Sequence, residues 1–91
     1  MALTKEDVVR QAKNDLARRL GVNANEVKED SVEAADFPDA ALGAPVTGEM
    51  SAQMITPGWR VRLRADGKAY EYRACRNGLR LYNFKGANHR V

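Results

Sequence analysis

The chain has 91 residues, 44% of them hydrophobic and 30% charged, with a formal net charge of +3. That is enough apolar material for one domain, residues 1–91, with a single small core, and it excludes wholesale disorder. No apolar run is long enough to cross a bilayer, and the start, MALTKEDVV, lacks the basic and apolar parts of a secretion signal. One cysteine, Cys75, leaves no internal disulfide, so the expected setting is the reducing cytoplasm.

The charge is unevenly spread. Residues 1–58 hold six Lys/Arg against ten Asp/Glu, whereas residues 59–91 hold nine against two. Such asymmetry fits an anionic partner, or two complementary surfaces within one small fold.

The first element is a helix over residues 5–20. Thr4 is a good N-cap, and Asp7 stands three residues on, although Asp is shorter than the usual Glu of a capping box. Val8, Val9, Ala12, Leu16 and Leu20 recur at helical spacing. Glu6 and Asp7 suit the positive helix start, Arg18 and Arg19 its end, and Gly21 is placed to close it in the left-handed conformation. Asn23 with Glu26 then reads as the cap of one short turn. Residues 27–35 make a strand with Val32 and Ala34 facing inward among Glu29, Asp30, Glu33 and Asp36. Those carboxylates lack the oxygen spacing and glycine turn of a calcium loop, and the solvation of an edge strand accounts for them.

All three prolines (Pro38, Pro45, Pro57) fall between Asp36 and Trp59, together with Gly43, Gly48 and Gly58. Restricted and permissive backbone so interleaved steers the chain through fixed turns. The loop 36–50 offers Phe37, Leu42, Val46 and Met50 as contacts. Phe37 is expected as a buried anchor and Leu42 as partly exposed at the tip. Residues 50–56 read as a strand, and Thr56-Pro57-Gly58-Trp59 as a type II turn.

The clearest alternation follows. Trp59, Val61, Leu63 and Ala65 alternate with Arg60, Arg62 and Arg64, which predicts a strand over 59–65. Strands over 68–76 and 79–84 complete two hairpins through Asp66-Gly67 and Asn77-Gly78, both favoured two-residue turns. With those turns, Leu63 faces Tyr70, Val61 faces Tyr72 and Trp59 faces Ala74. Across the second hairpin Ala74 faces Leu81 and Cys75 faces Arg80. The large apolar residues share one side. Arg60, Arg62, Arg64, Arg73 and Arg80 share the other with Glu71, Cys75 and Tyr82. The tail 85–91 shows no pattern and is expected to fray. The fold class is α+β: one N-terminal helix packed on an antiparallel sheet of four to five strands, in two layers, with the arginine side open.

The order DLARRLGV, a strand, DFPDAALGAP, QMITPGWRVRL, GKAYEYRA resembles a family of small, uncharacterised bacterial domains, many of them exported. In that family a tryptophan-proline-aspartate segment leads into a Leu-Gly-Cys-Pro loop, a Thr-Pro-Gly-aromatic turn and a Tyr-x-Tyr strand. The likeness covers about residues 10–75. Phe37 stands where the family has tryptophan, and Ala44 where it has cysteine, which removes any thiol role of the loop and fits a cytoplasmic member. The family has no established activity, so the resemblance implies the fold and leaves function open.

For chemistry the chain has little. Its one histidine, His89, lies in the tail, and Cys75 lies beside Arg73, Arg76 and Arg80 with no base near it in sequence. A spectator thiol is the simpler account. The chain has too few Cys and His for a metal site, and no phosphate-binding glycine pattern, so neither metal, cofactor nor catalytic residue is expected. Two readings remain. One is a protein-interaction module presenting Phe37, Leu42, Val46 and Met50, residues that equally well cap the sheet. The other is nucleic-acid binding across Arg60, Arg62, Arg64, Arg73 and Arg80, with Tyr82 as a stacking residue. The first is the preferred expectation, its partner another protein.

Overall fold

The computed structural model describes residues 3–50 and 52–91. Helix α1 (Lys5–Leu20) and a 3-10 turn (Ala24–Glu26) precede five strands. These are β1 (Lys28–Phe37), β2 (Thr56–Ala65), β3 (Lys68–Cys75), β4 (Gly78–Phe84) and β5 (Ala87–Arg90). Each strand pairs antiparallel with its sequence neighbour in one open sheet, and α1 lies across one face.

The helix forms as its ends dictate. The Thr4 hydroxyl accepts the Asp7 N–H at 3.1 Å, and Asp7 Oδ2 accepts the Thr4 N–H at 3.0 Å. The box closes despite the short aspartate, because Thr4 is extended (φ −92°, ψ 171°) and turns its N–H toward the carboxylate. Gly21 ends the helix at φ 71°, ψ 33°. Val8, Ala12 and Leu16 are buried against Val61, Leu63, Tyr72 and Leu81, with Trp59 half-buried at the side.

The β2–β3 register is the expected one: Leu63 opposite Tyr70, Val61 opposite Tyr72, Trp59 opposite Ala74. Asp66 (φ 53°) and Gly67 (φ 75°) supply the two positive dihedrals of a type I′ turn. The β3–β4 hairpin corrects the expectation. Ala74 pairs with Leu79, not Leu81, and Cys75 with Gly78, not Arg80. The turn residues are Arg76 and Asn77, and Gly78 already belongs to the strand. A slip of two residues preserves sidedness, so the sorting of apolar and arginine faces survives it.

Four more expectations fail. The strand expected over 50–56 is absent from residues 50 and 52–55, and Thr56-Pro57-Gly58-Trp59 is no turn but the start of β2. Pro57 pairs only with Asp36 of β1, beyond the end of β3, where its missing N–H breaks no ladder. Gly58 is there for closeness: a Cβ on it would stand 2.0 Å from the Ala74 carbonyl oxygen. β1 runs on to Phe37, with a bulge between Glu29 and Ser31; Val32 packs against the core, but Ala34 is exposed. The tail does not fray. Lys85 (φ 53°) and Gly86 (φ 83°) turn the chain into β5, and His89 sets its ring edge-on to Phe84 at 5.8 Å.

Candidate functional site: the loop over the arginine face

Residues 38–49 fold back over the face of the sheet opposite α1. Their turns are local. Asp39 Oδ1 accepts the N–H groups of Ala41 and Gly43, both at 3.0 Å, and Leu42 (φ 60°) and Gly43 (φ 68°) follow each other in the left-handed region. Gly48 (φ 80°) makes a second turn, closed by the Glu49 N–H on the Val46 carbonyl. This geometry drives Leu42 inward. Expected at an exposed tip, it is 2% exposed and forms a second small core with Phe37 and Cys75. Phe37 is the buried anchor the sequence suggested.

The loop is held by the arginines beneath it. Arg73 Nη1 donates to the carbonyls of Leu42 (3.3 Å) and Gly43 (3.0 Å), its Nε to Glu71 (2.9 Å), and its guanidinium lies 3.8 Å from the Tyr82 ring centre. Arg80 reaches the Ala44 carbonyl and both oxygens of Glu49, with Nη2–Oε2 at 2.6 Å. Arg90 Nε joins Glu49 at 3.0 Å, and the Asn88 amide donates to the Pro45 carbonyl at 2.9 Å. The Arg80 hydrogen bonds, chiefly, hold the Glu49 carboxyl down to about 2.

The arginine face is therefore not open as expected. Arg73 and Arg80 lie beneath the loop, and one face of the Tyr82 ring is occupied by Arg73. Arg60, Arg62 and Arg64 occupy the uncovered half, among Glu71, Glu33 and Asp30: Arg62–Glu33 is 3.3 Å and Arg64–Asp30 3.4 Å. Much of the charge asymmetry along the sequence is resolved internally, acidic residues of the first part meeting arginines of the second. Among the described residues, no group of His, Cys, Asp and Glu could hold a metal ion.

The four candidate contacts of the loop thus part company. Phe37 and Leu42 face the sheet, Val46 is half-buried, and Met50 is 97% exposed. Beyond it, Met54 (58%) and Ile55 (73%) are also exposed, next to a tight turn closed by the Met54 N–H on the Ala52 carbonyl, which itself accepts the Ala40 N–H. Sequence reasoning placed Met54 and Ile55 in a strand and so missed them.

It also missed Asp15, buried on the sheet side of α1. The Tyr72 hydroxyl donates to Oδ2 at 2.7 Å, Arg19 Nε to the same oxygen at 2.7 Å and Arg18 Nη2 to Oδ1 at 2.8 Å. Burial first, then the Asp15 hydrogen bond, pushes the Tyr72 hydroxyl far above its ordinary value. A signal existed: Asp15 follows Val8 and Ala12 on the buried stripe, two turns after Val8. With its partners in place it is a structural group that fixes how α1 sits on the sheet.

The chain belongs to a family described as a domain of unknown function (DUF8738), whose model matches residues 9–82. A comparison with curated proteins and one with solved structures each found no match.

Proposed function

We propose that this member of the DUF8738 family is a non-enzymatic protein-interaction module of the bacterial cytoplasm whose contact is made by residues 50–55 at the end of the loop. One observation carries the reading. Of the four exposed large hydrophobic residues among those described, three (Met50, Met54, Ile55) lie within six consecutive positions. Single exposed apolar side chains are ordinary, but three so close together in the chain make a docking feature. Methionine suits it, being flexible enough to fit varied surfaces. The turns of residues 38–49 hold one end of the segment and β2 the other, which lowers the ordering cost of binding. The buried lone thiol of Cys75 suits a reducing compartment.

The test is capture from a bacterial lysate by the immobilised domain, with a Met54→Asp/Ile55→Asp variant beside it. The wild type should retain a nuclease-resistant protein that the variant loses, with the variant's thermal midpoint unchanged. A partner retained equally by both, or one lost on nuclease treatment, would overturn the reading.

A further inference from the structure

We propose that residues 38–49 act as a strap that detaches from the sheet as a unit while α1 and the five strands stay folded. Three observations support this, and none depends on what residues 50–55 bind.

The two hydrophobic clusters share no member. One joins α1 to the sheet through Leu16, Leu63, Tyr72 and their neighbours; the other joins Leu42 of the strap to Phe37 and Cys75 of the sheet, with Ala35 against them. Loss of the second leaves the first intact. Among the described residues, the strap's backbone hydrogen bonds run within itself or to Ala52, and none joins a strand. What ties it to the sheet is side-chain chemistry: Arg73 and Arg80 on its carbonyls, Asn88 on Pro45, and Glu49 on Arg80 and Arg90. Finally, Leu42 is held at φ 60°, a conformation that a leucine resists, so closure works against a local backbone preference. A segment whose buried apolar anchors are one leucine and two alanines, Ala41 and Ala44, and which has no ladder bonds, belongs to the low-stability end of a fold.

Opening would uncover Phe37 and the Cys75 thiol and free Arg80 and Arg90 from Glu49, while Arg73 would lose the loop carbonyls and keep Glu71. The covered half of the face would gain exposed apolar surface and two unpaired cations, Arg80 and Arg90. Glu49 is the latch, since one carboxylate binds two arginines from neighbouring strands.

Cys75, 7% exposed under the strap, reports the motion. Its modification by N-ethylmaleimide at neutral pH is followed by mass spectrometry across a series of low urea concentrations. The wild-type rate should rise only shallowly with urea, because strap opening exposes little surface. Glu49→Gln, which keeps the shape and removes the charge, should speed modification by about tenfold or more, while α1 amide exchange stays unchanged. A rate that climbs with urea as steeply as global unfolding would overturn the proposal. So would a rate that Glu49→Gln leaves unaltered, which would mean that reagent reaches the thiol without opening.

Discussion

The hydrogen bond from Tyr72 to Asp15 offers the sharpest measure of what fixes α1 on the sheet. Tyr72→Phe deletes one oxygen from a fully buried ring and leaves no cavity large enough to matter. The loss is therefore the bond itself. A hydrogen bond to a charged group contributes about 1.5–3 kcal/mol. Asp15 keeps its two arginine bonds, of 2.7 and 2.8 Å, so the low end applies, about 1.5 kcal/mol. In a domain of this size each kcal/mol shifts the thermal midpoint by about 5 °C, which gives a fall of about 8 °C. Circular dichroism on heating reads that shift, and a double-mutant cycle with Asp15→Asn isolates the coupling. A fall of less than about 2 °C, or a rise, would show that Arg18 and Arg19 alone satisfy the carboxylate, and would refute the account. The alkaline limb gives a second check. The hydroxyl's folded value lies above its ordinary 10.0, so its stabilising effect is complete below pH 10 and is lost as pH rises toward the folded value. Tyr72→Phe should therefore flatten the fall in stability above pH 10.

Gly58→Ala should cost on the order of 3 kcal/mol or more in urea unfolding, because its methyl would collide with the Ala74 carbonyl and part β2 from β3. Leu42→Asp should loosen the strap side, raising the rate of Cys75 modification, whereas Met50→Asp should change stability by less than about 0.5 kcal/mol in the same unfolding assay. Glu49 should show its effect in acid. Its folded value is lowered to about 2 from an ordinary 4.5, so its contribution is present above about pH 4.5 and disappears as pH falls toward 2. The stability difference between wild type and Glu49→Gln, measured from pH 6 to pH 2, should shrink over that interval.

What the sequence determined by itself is whatever depends on close neighbours. Thr4, Asp7 and Gly21 bound α1, and Val8, Ala12 and Leu16 choose its buried side. Asp66-Gly67 and the alternation from Trp59 to Ala65 set the central hairpin to the residue. Even the misplaced second turn kept its faces, since a shift of two residues changes partners but leaves every side chain on the same side of the sheet. Tertiary structure decided the rest. Pro57-Gly58 has the local chemistry of a turn, but pairing with β1 on one side and the close approach of Ala74 on the other draw it into a strand. Lys85-Gly86 carries no strong turn signal, yet β4 offers an unpaired edge that β5 fills. The loop's placement rests on Arg73 reaching Gly43 and Arg80 reaching Glu49, contacts 30 and 31 residues apart. Dihedral preferences and caps act over about four residues. Whether Leu42 faces water or the sheet is settled by residues that only the finished fold brings beneath it.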